Sequence, residues 1–327
     1  MESLLTVKGL KKYYPIQRGF FKKTVGMVKA VDDVSFEIFP GEILGLVGES
    51  GCGKSTLGKC LLNLITPTEG ERLLNMNDRK IDLETMDKAE TRQYRKSVQI
   101  IFQDPHSSLN PRMTIYEILK EPLSLLSEEK DKKKIRSNIE EIISMVGLKP
   151  EYLVRYPHSF SGGQRQRIGL ARAIITRPKL VIADEPVSAL DVSIQAQILN
   201  LFIDMRNNFN LTFLFITHDL AVVRYICDRV IVMYLGHIVE VGTKEDIMRS
   251  PKHPYTNALL HVIPKGDKAL LNSKRLLQGE LPDPINTPTG CVFHPRCPYC
   301  KDICKNQIPE LTENDRQLVK CHFPVSG

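Results

Sequence analysis

Gly48-Glu49-Ser50-Gly51-Cys52-Gly53-Lys54-Ser55-Thr56 follows directly on the apolar run Ile43-Leu44-Gly45-Leu46-Val47, a strand pattern that delivers a glycine-rich turn to the start of a helix pattern. A nucleoside triphosphate carries dense negative charge, and a turn of this kind can present a row of backbone N–H groups to it where a bulkier chain could not. The helix expected from Lys54 adds the positive end of its dipole. Lys54 is placed to reach the β- and γ-phosphates as a point charge, and the Ser55 hydroxyl to ligate the Mg²⁺ that screens them. Every fixed position of G-x-x-x-x-G-K-[ST] is met, so residues 48–56 are expected to bind phosphate.

Upstream, residues 4–47 carry β-rich segments divided by turn signals, such as Val34-Ser35-Phe36-Glu37-Ile38 before Pro40-Gly41, which predicts an antiparallel sheet leading into the loop. Tyr13 and Tyr14 in that region are either packing residues or an aromatic face for adenine. The segment Arg18 to Lys23 reads as a solvated basic hairpin.

Downstream, Leu57 to Leu64 is helical in pattern and ends at Thr66-Pro67-Thr68-Glu69-Gly70. The apolar strand Val98-Gln99-Ile100-Ile101-Phe102 delivers Gln103, and Asp104-Pro105 then breaks it, leaving Gln103 at the carboxyl edge of a sheet, where ligands bind. Apolar spacing from 113 to about 158 predicts inserted helices. Ser161 is a natural N-cap, followed by Gly162, Gly163 and Gln164, a second glycine-rich helix start. Leu180-Val181-Ile182-Ala183-Asp184-Glu185 reads as a buried parallel strand ending in two carboxylates. Asp184 suits Mg²⁺, and Glu185 is placed to orient or deprotonate an attacking water. His218 ends another apolar strand, where an imidazole can meet a γ-phosphate or that water, or serve only in the core.

Composition sets limits. A chain of 327 residues, 42% hydrophobic and 25% charged, can bury a sizeable core. No run approaches the roughly 20 apolar residues that span a bilayer, and the first residues carry no secretory signal pattern, so a cytoplasmic location is expected. The net charge of +7 is not organised as basic runs interleaved with aromatics, and no nucleic-acid partner is expected.

The residues together resemble the ATP-binding cassette ATPases. The resemblance places Lys54 and Ser55 in the Walker A motif, Asp184 and Glu185 in Walker B, Gln103 in the Q-loop, Ser161-Gly162-Gly163-Gln164 in the signature, Asp191 in the D-loop and His218 as the switch histidine. It places Tyr14, with Tyr13 beside it, at adenine, and Ser55, Gln103 and Asp184 at Mg²⁺. It implies an α/β P-loop NTPase fold, a RecA-like core with an antiparallel β subdomain and an inserted α-helical subdomain at about 104–167. It further implies head-to-tail dimers in which the signature of one subunit closes on the ATP of the other, with Glu185 as base. Phe160 stands where leucine is commoner in the signature and keeps its apolar role. Ser250-Pro251-Lys252-His253-Pro254-Tyr255-Thr256, Gly279-Glu280-Leu281-Pro282-Asp283-Pro284 and Gly290-Cys291-Val292-Phe293-His294-Pro295-Arg296-Cys297 resemble the tail of oligopeptide and dipeptide importer ATPases. The chain is most similar to their F-type subunit. This resemblance implies a nucleotide-binding domain over 1–250 and a small Cys-rich C-terminal extension over 251–327. It also implies a paralogous D-type ATPase partner, two membrane permeases and an extracytoplasmic peptide-binding protein, with the chain at the cytoplasmic face of the membrane. Nickel or another small solute remains open as cargo, and a non-transport cassette acting on DNA or ribosomes is the reading from another class.

Five of the eight cysteines fall between 291 and 321. A cytoplasmic chain does not staple itself with disulfides, so the cluster points to metal or redox chemistry. Cys291, Cys297, Cys304 and Cys321 suit a tetrahedral Zn²⁺ or an iron–sulfur cluster, or remain free thiols. The resemblance favours [4Fe–4S]; Cys300 falls outside the spacing of those four and reads as a bystander. Cys52, Cys60 and Cys227 read as packing residues.

Overall fold

The computed structural model describes residues 2–19, 23–76, 79–104, 108–127, 129–261, 282–283 and 285–325. Residues 20–22 of the segment expected as a basic hairpin, Pro105, and Gly279, Glu280, Leu281 and Pro284 of the tail motif lie outside them. The strands are β1 (Leu5–Arg18), β2 (Lys23–Ile38), β3 (Ile43–Val47), β4 (Glu69–Met76), β5 (Arg79–Asp82), β6 (Val98–Ile101), β7 (Leu180–Asp184), β8 (Thr212–Thr217), β9 (Arg229–Tyr234), β10 (His237–Thr243), β11 (Thr312–Asn314) and β12 (Gln317–Val319). The chain folds as two compact units, each drawn from separated stretches: Met1–Leu4, Ile38–Ile43 and Leu74–Ile216 in the first, Leu5–Glu37, Leu44–Leu73 and Thr217–Gly327 in the second.

In the first unit, β6, β7 and β8 run parallel. Ile101 pairs with Ala183, and Asp184 with Ile216. Every residue of β7 and β8 is buried, which explains their unbroken apolar runs: a parallel strand covered on both faces has no polar side to alternate with. Phe202, on the helix Val192–Phe209, meets Phe213 and Phe215 of β8 edge-on at 5.3 and 5.4 Å. The expected helical stretch resolves into Ile115–Leu126 and Lys132–Met145, followed by 3₁₀ turns at Pro150–Val154 and Pro157–Ser159. Ile115, Ile118, Leu119 and Leu123 bury one stripe of the first helix, and Ile135, Ile139, Ile142 and Ile143 one stripe of the second. Among the described residues, capping boxes start three helices of this unit, at Asp87 with Glu90, Thr114 with Glu117 and Ser161 with Gln164.

In the second unit, β2, β1 and β4 lie side by side, and Lys11 accepts from the Thr68 backbone at 2.7 Å. β3 pairs in parallel with β9, with Leu44 opposite Arg229 and Val47 opposite Val232. β10 returns antiparallel on β9, β12 adds to β10 through Glu240 opposite Val319, and β11 closes the hairpin. The tail, which shows little periodicity in sequence, therefore contributes strands to the sheet that carries the phosphate-loop strand. A short helix Asp302–Asn306 lies ahead of that hairpin. Elements of three to five residues are too short to be marked by sequence period and are stabilised by what they pack on. Among the described residues no helix is long and apolar enough to cross a membrane.

Candidate nucleotide site

The phosphate loop belongs to the second unit. β3 is fully buried and ends at Val47; the helix Lys54–Leu61 begins seven residues later with Gly53 as its N-cap. Gly53 holds φ at 103°, and a Cβ there would overlap the Ala30 carbonyl oxygen, so only glycine serves. Neither a capping side chain nor an acidic residue in the first turn competes for the helix's positive end. Lys54 is buried, and its Nζ donates to the carbonyls of Gly48 at 2.8 Å and Glu49 at 2.9 Å. The ammonium is thus curled over the concavity of the loop, in position to exchange those carbonyls for phosphate oxygens. Cys52 packs beneath the loop, its thiol pushed up by burial.

Two other features of this unit bear on nucleotide. The Tyr13 hydroxyl donates to Asp32 at 2.5 Å, which ties that ring to the sheet. Tyr14 carries the Lys12 ammonium 5.1 Å from its ring centre. His218 is exposed immediately after β8, where Thr217 Oγ1 accepts from the Asp219 backbone at 3.0 Å and Asp219 caps the helix Leu220–Ile226.

The first unit holds the acidic strand end. Asp184 closes β7 and is 9% exposed. Glu185 follows with φ of 47°, a left-handed conformation costly for a residue with a Cβ, and its N–H donates to the Ile216 carbonyl at 2.9 Å. This turn directs the carboxylate to Gln103, whose Nε2 donates to Glu185 Oε2 at 3.1 Å. The Gln103 side chain expected at a sheet edge is therefore engaged with the proposed base. Asp191 stands exposed at the N-cap of the helix Val192–Phe209.

Ser161, Gly162, Gly163 and Gln164 open the helix Gly162–Ile174 as a reciprocal box: Gln164 Oε1 accepts from Ser161 N at 3.1 Å and Ser161 Oγ from Gln164 N at 3.4 Å. The two glycines differ. A Cβ on Gly163 would stand 2.5 Å from Ile194 Cγ2, whereas one on Gly162 would meet its nearest neighbour at 3.6 Å. Helix packing accounts for Gly163 and leaves Gly162 to be explained by what approaches from outside.

Residues 31–188 match the family model described as ABC transporter, and residues 239–304 the one described as oligopeptide/dipeptide transporter, C-terminal region. The chain is 51% identical to the oligopeptide transport ATP-binding protein AppF of Bacillus subtilis over 326 residues, covering 98% of each chain. The chain belongs to the ABC transporter ATP-binding proteins. It is also 48% identical to the oligopeptide transport ATP-binding protein OppF of Salmonella typhimurium, covering 97% of this chain and 95% of that one. With the di/tripeptide transport ATP-binding protein DppF of Pseudomonas aeruginosa it shares 46% identity over 98% of each. Among solved structures, the dimeric ATP-binding cassette MJ0796 in a post-hydrolysis state with ADP and Pi matches with a TM-score of 0.63 and 28% identity, over 73% of this chain and 98% of that one. The chain has the P-loop α/β fold of these cassettes and is an ATPase of their kind.

Four of the five C-terminal thiols of this ABC ATPase line one apolar cavity. Cys291, Cys297, Cys304 and Cys321 line it with Phe293 and Phe323, and Cys300 is not in its lining. Cys291 N donates to the Cys304 carbonyl at 2.8 Å, and Phe323 N to Cys321 Sγ at 3.4 Å. Burial pushes the Cys297 thiol up to about 11 and Cys321 up to about 12, with the neighbouring thiols adding to it. Among the described residues no group of three or more His, Cys, Asp or Glu side chains is spaced to hold a metal ion. The thiols thus share a cavity without standing at ligating separations.

Two contacts of the phosphate loop carry no local sequence signal. Tyr255 Oη accepts from Glu49 N at 2.9 Å, and Arg296 pairs with the Glu49 carboxylate from 247 residues away. Neither partner lies in a nucleotide motif.

Proposed function

We propose that this chain is the ATP-hydrolysing subunit of an importer for di- and oligopeptides, turning ATP binding and hydrolysis into movements of partner permeases. The observation that carries the reading is the presence, in one chain, of a complete phosphate loop and a C-terminal segment of the oligopeptide/dipeptide transporter type. Full-length relatives transporting oligopeptides and di/tripeptides support it.

Residues 48–56 hold the phosphates, Lys54 by its charge and the loop by its N–H groups. Tyr14 stacks on adenine, and Tyr13, its neighbour in the strand, is the second aromatic we assign there. Asp184, Ser55 and Gln103 are the residues we assign to Mg²⁺. The hard oxygen donors and the buried carboxylate of Asp184 fit that ion, which supplies charge neutralisation at the β- and γ-phosphates. Glu185 accepts the proton of the attacking water, and Gln103 orients its carboxylate. His218 contacts the γ-phosphate. Ser161, Gly162, Gly163 and Gln164 act on the nucleotide of a partner subunit, with Asp191 beside them, in the manner expected of a head-to-tail dimer; the dimeric cassette above supports this. We assign residues 1–250 to the nucleotide-binding domain and 251–327 to the importer-specific extension. The partners are a D-type paralogue, two permeases and an extracytoplasmic binding protein, which puts the chain on the cytoplasmic face of the membrane.

The four thiols that line one cavity are, by donor chemistry, a soft-metal set. Cys291, Cys297, Cys304 and Cys321 would hold a [4Fe–4S] cluster, or Zn²⁺ in its place, and such a group would supply cross-linking of the tail. Binding either would convert the high-pKa thiols to thiolates and release protons.

The deciding experiment is ATPase activity of the chain assembled with its paralogue and permeases in liposomes. Stimulation by peptide-loaded binding protein is expected. Indifference to peptide, with stimulation by nickel or by nucleic acid, would overturn the peptide reading.

A further inference from the structure

Glu49 is a carboxylate inside a loop built for a triphosphate, and charge alone makes it an unfavourable neighbour for phosphate. Three side chains grip it. Lys54 Nζ donates to its carbonyl. Tyr255 Oη accepts from its N–H at 2.9 Å. Arg296 Nη1 stands 3.0 and 3.2 Å from its two carboxylate oxygens. The Arg296 side chain is 6% exposed and that of Glu49 21%, so water screens this pair far less than a surface pair.

The two outer grips are themselves anchored. Tyr255 is fully buried, 4.6 Å ring to ring from Tyr234 and 5.4 Å from Phe293. Phe293 meets Tyr234 edge-on at 5.3 Å. Arg296 N donates to the Phe293 carbonyl at 3.0 Å, so the turn Phe293–Arg296 is fixed to that aromatic cluster, and Arg296 Nη1 also reaches Tyr234 Oη at 3.4 Å. Glu49, Tyr234, Tyr255, Phe293 and Arg296 all belong to the second unit.

We propose that Arg296 and Tyr255 are positioning residues for the phosphate loop: Arg296 neutralises and aims the Glu49 carboxylate, Tyr255 fixes its backbone, and ATP affinity therefore depends on the C-terminal segment. The inference rests on the assignment of residues 48–56 to phosphate. Arg296→Ala leaves a carboxylate uncompensated beside the incoming phosphates and weakens ATP binding, whereas removing both charges restores it. A guanidinium that served only to fold the tail would give a double variant no better than the single one.

The test is equilibrium binding of a fluorescent N-methylanthraniloyl-ATP with Mg²⁺ to the full chain and its variants. Arg296→Ala is expected to raise Kd about tenfold, Arg296→Lys by less because the charge stays, and Tyr255→Phe about threefold. Glu49→Gln in the Arg296→Ala background is expected to return Kd to within about threefold of wild type, and higher salt to shrink the single-variant effect. Kd within about twofold of wild type for Arg296→Ala, or a double variant as weak as the single one, overturns the proposal. Lys54→Ala separates the two levels. If it binds nucleotide normally, the assignment of the loop itself fails; if it loses binding while Arg296→Ala does not, only the positioning role fails.

Discussion

Gln103 and Glu185, 82 residues apart, meet through a hydrogen bond of 3.1 Å from the glutamine amide to Glu185 Oε2. The bond holds the carboxylate through one oxygen, while the left-handed turn at Glu185 sets where it points. A neutral donor orients a base without quenching its charge, as an arginine would.

Glu185→Gln tests the assigned base directly. The substitution keeps size and hydrogen bonding but removes the proton acceptor. Phosphate release should fall about a thousandfold while ATP binding stays near wild type. Turnover close to wild type would remove Glu185 from the role.

The signature glycines are expected to separate. Gly163→Ala drives a methyl against Ile194 and should lower stability by about 1–2 kcal/mol. Ile194→Ala should relieve part of it, a coupling of about 1 kcal/mol in a double-mutant cycle of urea denaturation. Gly162→Ala meets only ordinary contacts and should leave stability unchanged or slightly higher. Its effect should instead appear in ATP-driven subunit association, measured by light scattering. Equal destabilisation by both alanines would contradict the distinction.

His237 should make the fold acid-sensitive. It is 8% exposed and its Nδ1 is unpartnered. Burial and the Lys320 charge lower its pKa from 6.5 to about 4, with Lys29 adding to this against the opposing charges of Asp32 and Asp33. The unfolded chain therefore binds the extra proton first. This contribution to stability is complete above about pH 6.5 and is lost as pH falls toward 4, at about 1.4 kcal/mol per pH unit. Urea midpoints at pH 7, 5.5 and 4.5 should show the decline, and His237→Gln should flatten it. An unchanged slope in that variant would assign the acid sensitivity to other groups.

The cysteine cavity makes a prediction about metal. Anaerobically purified protein should be brown, with about four iron and matching acid-labile sulfide per chain. Cys304→Ser should lose both, and Cys300→Ser should lose neither. Colourless protein with one zinc would replace the cluster by the tetrahedral alternative, and metal-free protein with titratable thiols would exclude both.

Much of the nucleotide site is legible in sequence because its parts are local. The loop Gly48–Thr56, the acids that end β7, and the Ser161–Gln164 box each depend on residues within one turn of one another, where glycine conformations, capping geometry and apolar period act directly. The proline after Asp104 predicts Gln103 at a sheet edge, yet its bond to Glu185 is not legible there, since partners 82 residues apart meet only once β6 and β7 are in register. Spacing groups the four tail thiols, and the cavity they line follows from the turn at Cys291, the short helix at Asp302–Asn306 and the placement of β12 on β10.

The sequence by itself determined a nucleoside triphosphate site with a paired acid for its metal and water, because the phosphate loop and the acidic strand end are short-range patterns. The ABC class came from the resemblance that these motifs carry together with the capped glycine helix. Only the tertiary structure decided what holds the loop. Arg296 reaches Glu49 from 247 residues away, and Gly163 is required by Ile194 on another helix. Contacts of that range are selected by the packing of aromatic and apolar faces in the folded chain, and no period or motif in the amino-acid order encodes them.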